Sequence, residues 1–86
     1  MYNSCTYNGA MPTITRLSKC TINMYADDHP PPHFHVRMND GRQALVAIVN
    51  QVVLRGDIPA RELAEPIAWA SANVEFLMLK WKELNP

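Results

Sequence analysis

The segment DDHPPPHFHV, residues 27–36, gathers the residue types in this chain that most often do chemistry. It holds all three histidines of the sequence and three of its seven prolines, beside two aspartates. Imidazole and carboxylate groups together can bind a transition metal. They can also move protons near neutral pH, because the ordinary pKa of histidine is about 6.5. This segment is therefore the candidate functional site.

A shared metal ion is one interpretation of the segment. His33 and His35 are two residues apart, so in a β-strand both imidazoles point outward from one face, with Cα atoms about 6.5–7 Å apart. That spacing suits a divalent transition metal with Asp28 as a third ligand. Asp27 and His29 are further candidates across the proline corner. No other cofactor is expected.

Acid–base catalysis by the same residues is a second interpretation. An aspartate, Asp28 in the first place, would orient an imidazole, and His33 and His35 would exchange protons with a substrate. In ribonuclease-like chemistry no protein nucleophile is needed, because the 2′-hydroxyl of the RNA attacks. The residues expected to bind an anionic ligand are His29, His33, His35 and Arg37, the last through bidentate hydrogen bonds.

A purely structural role is the third interpretation. Each proline fixes its own φ near −65° and favours extended geometry before it, so HPPPH at 29–33 is a stiff polyproline segment. Such a corner sets the angle between two strands, with its imidazoles half-exposed and hydrogen bonded to neighbours. The interpretations are compatible, since a stiff corner also holds side chains at fixed separations.

Alternating polarity predicts the strands that position this segment. HFHVRM at 33–38 places Phe34, Val36 and Met38 on one face of a strand. Asn-Asp-Gly at 39–41 then predicts a tight hairpin. The other predicted strands are 21–25, 43–49 and 52–55.

A helical period follows these strands. Asp57 is predicted to cap a first helix and Asn73 a second. Pro66 in mid-helix would remove a backbone hydrogen bond, so we expect a kink or break near Ala64. The residues predicted to face the core are Leu63, Ile67 and Ala70 in the first helix and Val74, Leu77, Met78 and Trp81 in the second.

These elements predict an α+β domain, in which an antiparallel three- to four-stranded meander packs against two C-terminal helices. The domain is expected to span residues 11–86. Residues 1–10 are rich in Asn, Ser, Thr and Gly without periodicity, which is typical of a flexible leader.

Composition narrows the class of protein. The formal net charge is zero and the basic residues are scattered, so charge does not indicate a nucleic-acid surface. The longest apolar run, ALVAIV, is too short to span a bilayer. Cys5 and Cys20 do not form the dense disulfide framework of a small secreted domain, and Cys20 is expected to be a buried, inert thiol. We expect a cytoplasmic protein without a membrane partner.

Phe76 and Leu79 lie opposite the predicted buried stripe of the second helix. Single apolar surface residues are common. Because Lys80 and Glu83 border the same face of a small domain, we expect the pair to contact a protein partner or a second copy of the chain.

Four stretches of the sequence resemble a small bacterial family catalogued as a domain of unknown function, number 4160. They are MPTITRL at 11–17, MYADDHPPPHFHV at 24–36, LRGDIP at 54–59, and the tryptophans Trp69 and Trp81. The resemblance implies a compact α+β domain, in gene arrangements similar to toxin–antitoxin pairs, and supplies no activity. The positions that match the family motif are Asp28, His29, Pro31, Pro32, His33, Phe34, His35 and Val36.

The chain departs from the family pattern at three places. Gln51 stands where glycine is usual in the turn before the fourth strand, which argues against a tight primed turn there, and Pro66 falls inside the first helix. Phe76 and Leu79 replace polar or acidic residues.

Two functions remain open at this point. One is a binding or regulatory module that acts through a protein partner, as half of a toxin–antitoxin-like pair, with the histidine corner as its recognition surface. The other is a His-dependent ribonuclease-like or metal-assisted hydrolase that uses Asp28, His33 and His35.

Overall fold

The computed structural model describes residues 13–86. Within them, five antiparallel strands form one sheet in sequence order, followed by a 3-10 turn and two helices. The strands are β1 (Thr13–Arg16), β2 (Cys20–Asn23), β3 (His33–Met38), β4 (Gln43–Ala47) and β5 (Val53–Arg55). The turn is Ala60–Glu62, and the helices are α1 (Ala64–Ser71) and α2 (Val74–Leu84).

This architecture confirms the predicted α+β meander with two C-terminal helices. The sheet has one strand more than predicted, because β1 pairs with β2. The predicted leader, residues 1–10, lies outside the described residues, as does Cys5. Neither helix within residues 13–86 has the length and apolar character to cross a membrane.

The alternation of β3 separates the core from the candidate site. Phe34 and Val36 are fully buried on one face, opposite Val46 of β4 and Ile22 of β2 respectively. Burying each such side chain contributes about 1.5–3 kcal/mol. The other face of β3 carries His33, His35 and Arg37, in register with Ala47, Leu45 and Gln43.

Two turns hold β3, β4 and β5 in this register. Gly41 has φ 98 in the predicted hairpin, where the Met38 N–H donates to the Arg42 carbonyl. Gln51 adopts φ 56, and its Nε2 donates to the carbonyl of Ile48 at 2.6 Å. The Gln51 N–H donates to the Ala47 carbonyl at 3.0 Å, four residues back, so this connection is longer than the two-residue primed turn that Gln51 argues against.

Two prolines lie at the start of the helical segments. Pro66 lies in the first turn of α1, where its missing N–H costs nothing, and the break falls at Leu63, beside the predicted Ala64. The predicted cap at Asp57 was wrong, because Pro59 precedes the 3-10 turn. Asn73 does precede α2, but its Nδ2 donates back to the Trp69 carbonyl at 2.7 Å instead of capping.

The predicted buried stripes of both helices are confirmed. Leu63, Ala70, Leu77 and Trp81 are buried, and Ile67, Val74 and Met78 pack against the core as partly buried side chains. Cys20, in β2, is buried in the same core, and burial raises the pKa of its thiol. This agrees with the expected inert role.

Candidate metal centre

The segment between β2 and β3 brings Asp28 onto the histidine face of the sheet. Asp27 turns the chain with φ 57, and the Pro30–Pro31 peptide is cis. The backbone N–H of Asp28 donates to Asn85 Oδ1 at 2.6 Å, which ties the segment to the end of α2. The carboxylate is held in turn, since Asp28 Oδ1 accepts the N–H of His29 at 2.8 Å.

Both imidazoles of β3 meet the other oxygen of this carboxylate. Oδ2 of Asp28 lies 2.9 Å from Nε2 of His33 and 3.2 Å from Nε2 of His35. One potential ligand atom from each of the three residues lies within 4.8 Å of the others. The site therefore assembles two imidazoles and one carboxylate around a single point.

The tautomer of His33 follows from its backbone contact. Its Nδ1 lies 2.8 Å from the carbonyl oxygen of Pro31, and a carbonyl can only accept, so Nδ1 carries the proton. In the neutral ring, Nε2 then has no proton and carries a lone pair. That atom is buried and has no aligned hydrogen-bond partner within residues 13–86, although Asp28 Oδ2 is close. A backbone carbonyl that fixes the far nitrogen is the usual arrangement around a metal-binding histidine.

Aromatic contacts fix the orientation of both rings. The ring of Tyr25 meets His35 edge-on, with centroids 4.3 Å apart. Trp81 of α2 lies 5.2 Å from the ring of His33. His33 is only 4% exposed as a result, so the expectation that both imidazoles point outward was wrong for His33. The cause is the end of α2, which closes over this part of the sheet.

The electrostatics of the site favour the metal-binding forms of His35 and Asp28. Burial lowers the pKa of His35, which favours its neutral form. For Asp28, burial raises the pKa, but the N–H of His29 and the imidazoles of His35 and His33 together lower it below its ordinary value. A neutral imidazole and an ionised carboxylate are the forms that bind metal.

A pocket of about 420 Å³ opens beside the cluster. Its volume lies in the range of small-ligand sites, about 300–1,000 Å³. Part of its wall comes from β4 and β5. The lining residues are Asp28, His29, Pro30, Pro31, His33, His35, Leu45, Leu54 and Arg55.

The family model for a domain of unknown function (DUF4160) matches residues 20–82. The chain belongs to this family. The match includes all three residues of the cluster and Arg55, while Asn85 lies beyond it. Neither a curated protein nor a solved structure matches the chain.

The structure brings together some of the residues proposed from sequence and not others. Asp28, His33 and His35 converge, and His29 lines the pocket while its backbone N–H supports Asp28. Arg37 lies further along β3, exposed and outside the pocket lining, so the structure does not bring it to the expected anion site. The exposed Asp27 contributes a turn and no ligand atom to the cluster.

Sequence reasoning missed two residues of this site. Arg55 could have been found from strand register, because Leu45 stands opposite both His35 and Arg55. Asn85 is 57 residues from Asp28 and carried no local signal.

Proposed function

We propose that this domain binds one divalent transition-metal ion through Asp28, His33 and His35, and that the ion serves a metal-assisted hydrolase. The observation that carries the proposal is the buried Nε2 lone pair of His33 beside the Asp28 carboxylate, with Nδ1 already satisfied by Pro31. With the His33 ring neutral, its Nε2 lone pair and the Asp28 oxygen 2.9 Å away repel each other. A cation between them turns that repulsion into attraction.

The ligand set favours zinc among the common ions. Imidazole nitrogen and carboxylate oxygen are ordinary zinc ligands, and catalytic zinc sites have three protein ligands with a fourth position left to water. Bound zinc lowers the pKa of that water to about 7. Hydrolysis of an ester would add the hydroxyl of the water to the acyl or phosphoryl group and its remaining proton to the departing alcohol.

Metal titration of the full chain tests the proposal. Wild-type protein is expected to bind one equivalent of Zn²⁺, and the near-isosteric Asp28→Asn and His35→Gln variants should each bind at least tenfold more weakly. His29→Gln is the matched control, because His29 shares the loop but places no ring nitrogen in the cluster. Absence of one tight equivalent in wild type, or equal affinity in all four proteins, would contradict the proposal.

A chelator separates this function from metal-free catalysis. Loss of hydrolysis in excess chelator, and its return with zinc, supports the metal-assisted reaction. Cleavage of RNA that persists in chelator and disappears in His35→Gln would instead favour the ribonuclease-like alternative, in which the imidazoles move protons.

A binding or regulatory role through a protein partner is the second candidate. Its support is the exposure of Phe76 and Leu79 on α2, at 42% and 56%. The ring of Trp69 packs against the ring of Phe76 in a T-shaped contact. Leu79 is therefore the more exposed of the two apolar residues on α2. In this role the domain is half of a cytoplasmic pair similar to toxin–antitoxin systems, or associates with a second copy.

Sedimentation of the wild-type protein and of the Leu79→Lys variant tests whether the chain associates with a second copy of itself. Concentration-dependent dimers in wild type that are lost in the variant support the interface, with Lys82→Ala as a control on the exposed surface of α2. Identical monomers in both proteins would remove self-association from this candidate.

A further inference from the structure

We infer that the pocket beside the cluster takes a phosphate group, with Arg55 binding the part of the ligand that faces away from the metal. The inference rests on the proposed function, since it assigns a substrate class to the same site. It starts from the position of Arg55 on the sheet. Leu45 stands opposite His35 on β3 and opposite Arg55 on β5.

This register places the three residues on one face of the sheet. Residues directly opposite on neighbouring strands share a face, and each strand lies about 4.7–4.9 Å from the next. The backbone of Arg55 is therefore about 10 Å from that of His35, measured across the strands. Both residues line the same pocket. The long arginine side chain therefore starts at the far wall of a pocket whose near wall is the metal cluster.

Arg55 has no ion pair or side-chain hydrogen bond within residues 13–86. The contrast is Arg42, whose guanidinium is bound by the carboxylates of Asp40 and Glu62. A guanidinium beside the apolar Leu45 and Leu54 is free for a ligand, and its planar fork matches two oxygens of a phosphate.

Charge and size both favour a phosphate ester over a neutral ligand. A divalent ion and Arg55 together carry three positive charges against the single negative charge of Asp28, so the loaded pocket attracts an anion. A tetrahedral oxyanion can place one oxygen at the metal and others at the guanidinium. The volume of about 420 Å³ exceeds what a bare phosphate needs, which leaves room for an ester substituent.

Phosphate titration of the Co²⁺-loaded protein tests the inference, because the visible spectrum of cobalt responds to its ligands. Inorganic phosphate should perturb the spectrum of wild type saturably. Arg55→Gln should weaken phosphate binding about 10- to 100-fold and leave cobalt affinity within about twofold. Arg55→Lys should restore part of the loss. Arg61→Gln, an exposed arginine at the 3-10 turn, is the matched control.

The outcomes separate the two proposals. Failure of wild type to bind cobalt would overturn the metal centre itself. Cobalt binding with no phosphate response, or with equal phosphate affinity in wild type and Arg55→Gln, would overturn only the phosphate inference. A loss in Arg37→Gln instead of Arg55→Gln would also overturn it. Phenyl phosphate binding more tightly than inorganic phosphate assigns the site to esters, and equal binding assigns it to free phosphate.

Discussion

Asn85 holds Asp28 in place across 57 residues of sequence. Its side-chain Oδ1 accepts the backbone N–H of Asp28 at 2.6 Å, while its Nδ2 donates to the carbonyls of Trp81 and Tyr25 at 3.2 and 3.4 Å. One amide thus joins the end of α2 to Tyr25 and Asp28, in the segment that carries the carboxylate. The geometry of the metal centre depends on this tertiary contact as well as on the proline corner.

Replacement of Asn85 by alanine should weaken metal binding without removing a ligand. Loss of a hydrogen bond of about 1 kcal/mol that pre-orients Asp28 predicts a roughly three- to tenfold higher dissociation constant for zinc. Competition with a chromophoric chelator measures the change, and Lys82→Ala on the same helix serves as the control. Unchanged affinity in folded Asn85→Ala would mean that the corner alone positions the carboxylate.

Zinc should stabilise the folded chain. An ion that binds only the native state at 100 times its dissociation constant adds about 2.7 kcal/mol. In a domain of this size that raises the melting temperature by roughly 10–20 °C. Thermal unfolding with zinc and with excess chelator measures the shift, and Asp28→Asn should lose most of it. An equal shift in Asp28→Asn would place the bound zinc elsewhere.

The histidine face was predictable because its signal is local. Alternation over 33–38 predicts β3 with the same bounds and the same buried face that the structure has. Asp28, the nearest acid before His33 in the sequence, is also the acid in the cluster. A two-residue period and a stiff corner act over a few residues, so neighbouring sequence determines them.

The remaining features depend on contacts that local sequence does not encode. TITR, at Thr13–Arg16, has only a short weak pattern, and its strand exists through pairing with β2. The burial of His33 comes from Trp81, whose apolar stripe predicted core packing but not this neighbour.

The acid stability of the chain should depend partly on Arg42. Its hydrogen bonds lower the pKa of Asp40 and of Glu62 below their ordinary values. A carboxyl whose pKa is lower in the folded state stabilises that state above its unfolded pKa and loses this contribution as pH falls through the folded value. Wild type should therefore lose more stability than Arg42→Gln between about pH 5 and pH 2.

Urea denaturation of the metal-free proteins across this range measures that difference. The groups are exposed, so added salt should reduce the effect. Parallel pH profiles for wild type and Arg42→Gln would show that the network contributes nothing to folding.

Gly56 should tolerate alanine far less well than Gly41, although both have positive φ, 115 and 98. The backbone conformation alone costs about 1–2 kcal/mol for a residue with a Cβ. At Gly56 the new Cβ would also lie 2.7 Å from the carbonyl oxygen of Gln43 and 2.8 Å from Cα of Ala44, whereas at Gly41 nothing lies within 4 Å. Because these neighbours are backbone atoms of β4, the strand must shift, which adds about 1–3 kcal/mol.

The same shift should reach the pocket, because Gly56 follows Arg55 directly at the end of β5. Urea denaturation should rank wild type above Gly41→Ala and Gly41→Ala above Gly56→Ala. Phosphate affinity of the cobalt-loaded protein should fall in Gly56→Ala and hold in Gly41→Ala. Equal destabilisation of the two variants would show that β5 can move away from β4 at little cost, and that Gly56 serves only the turn.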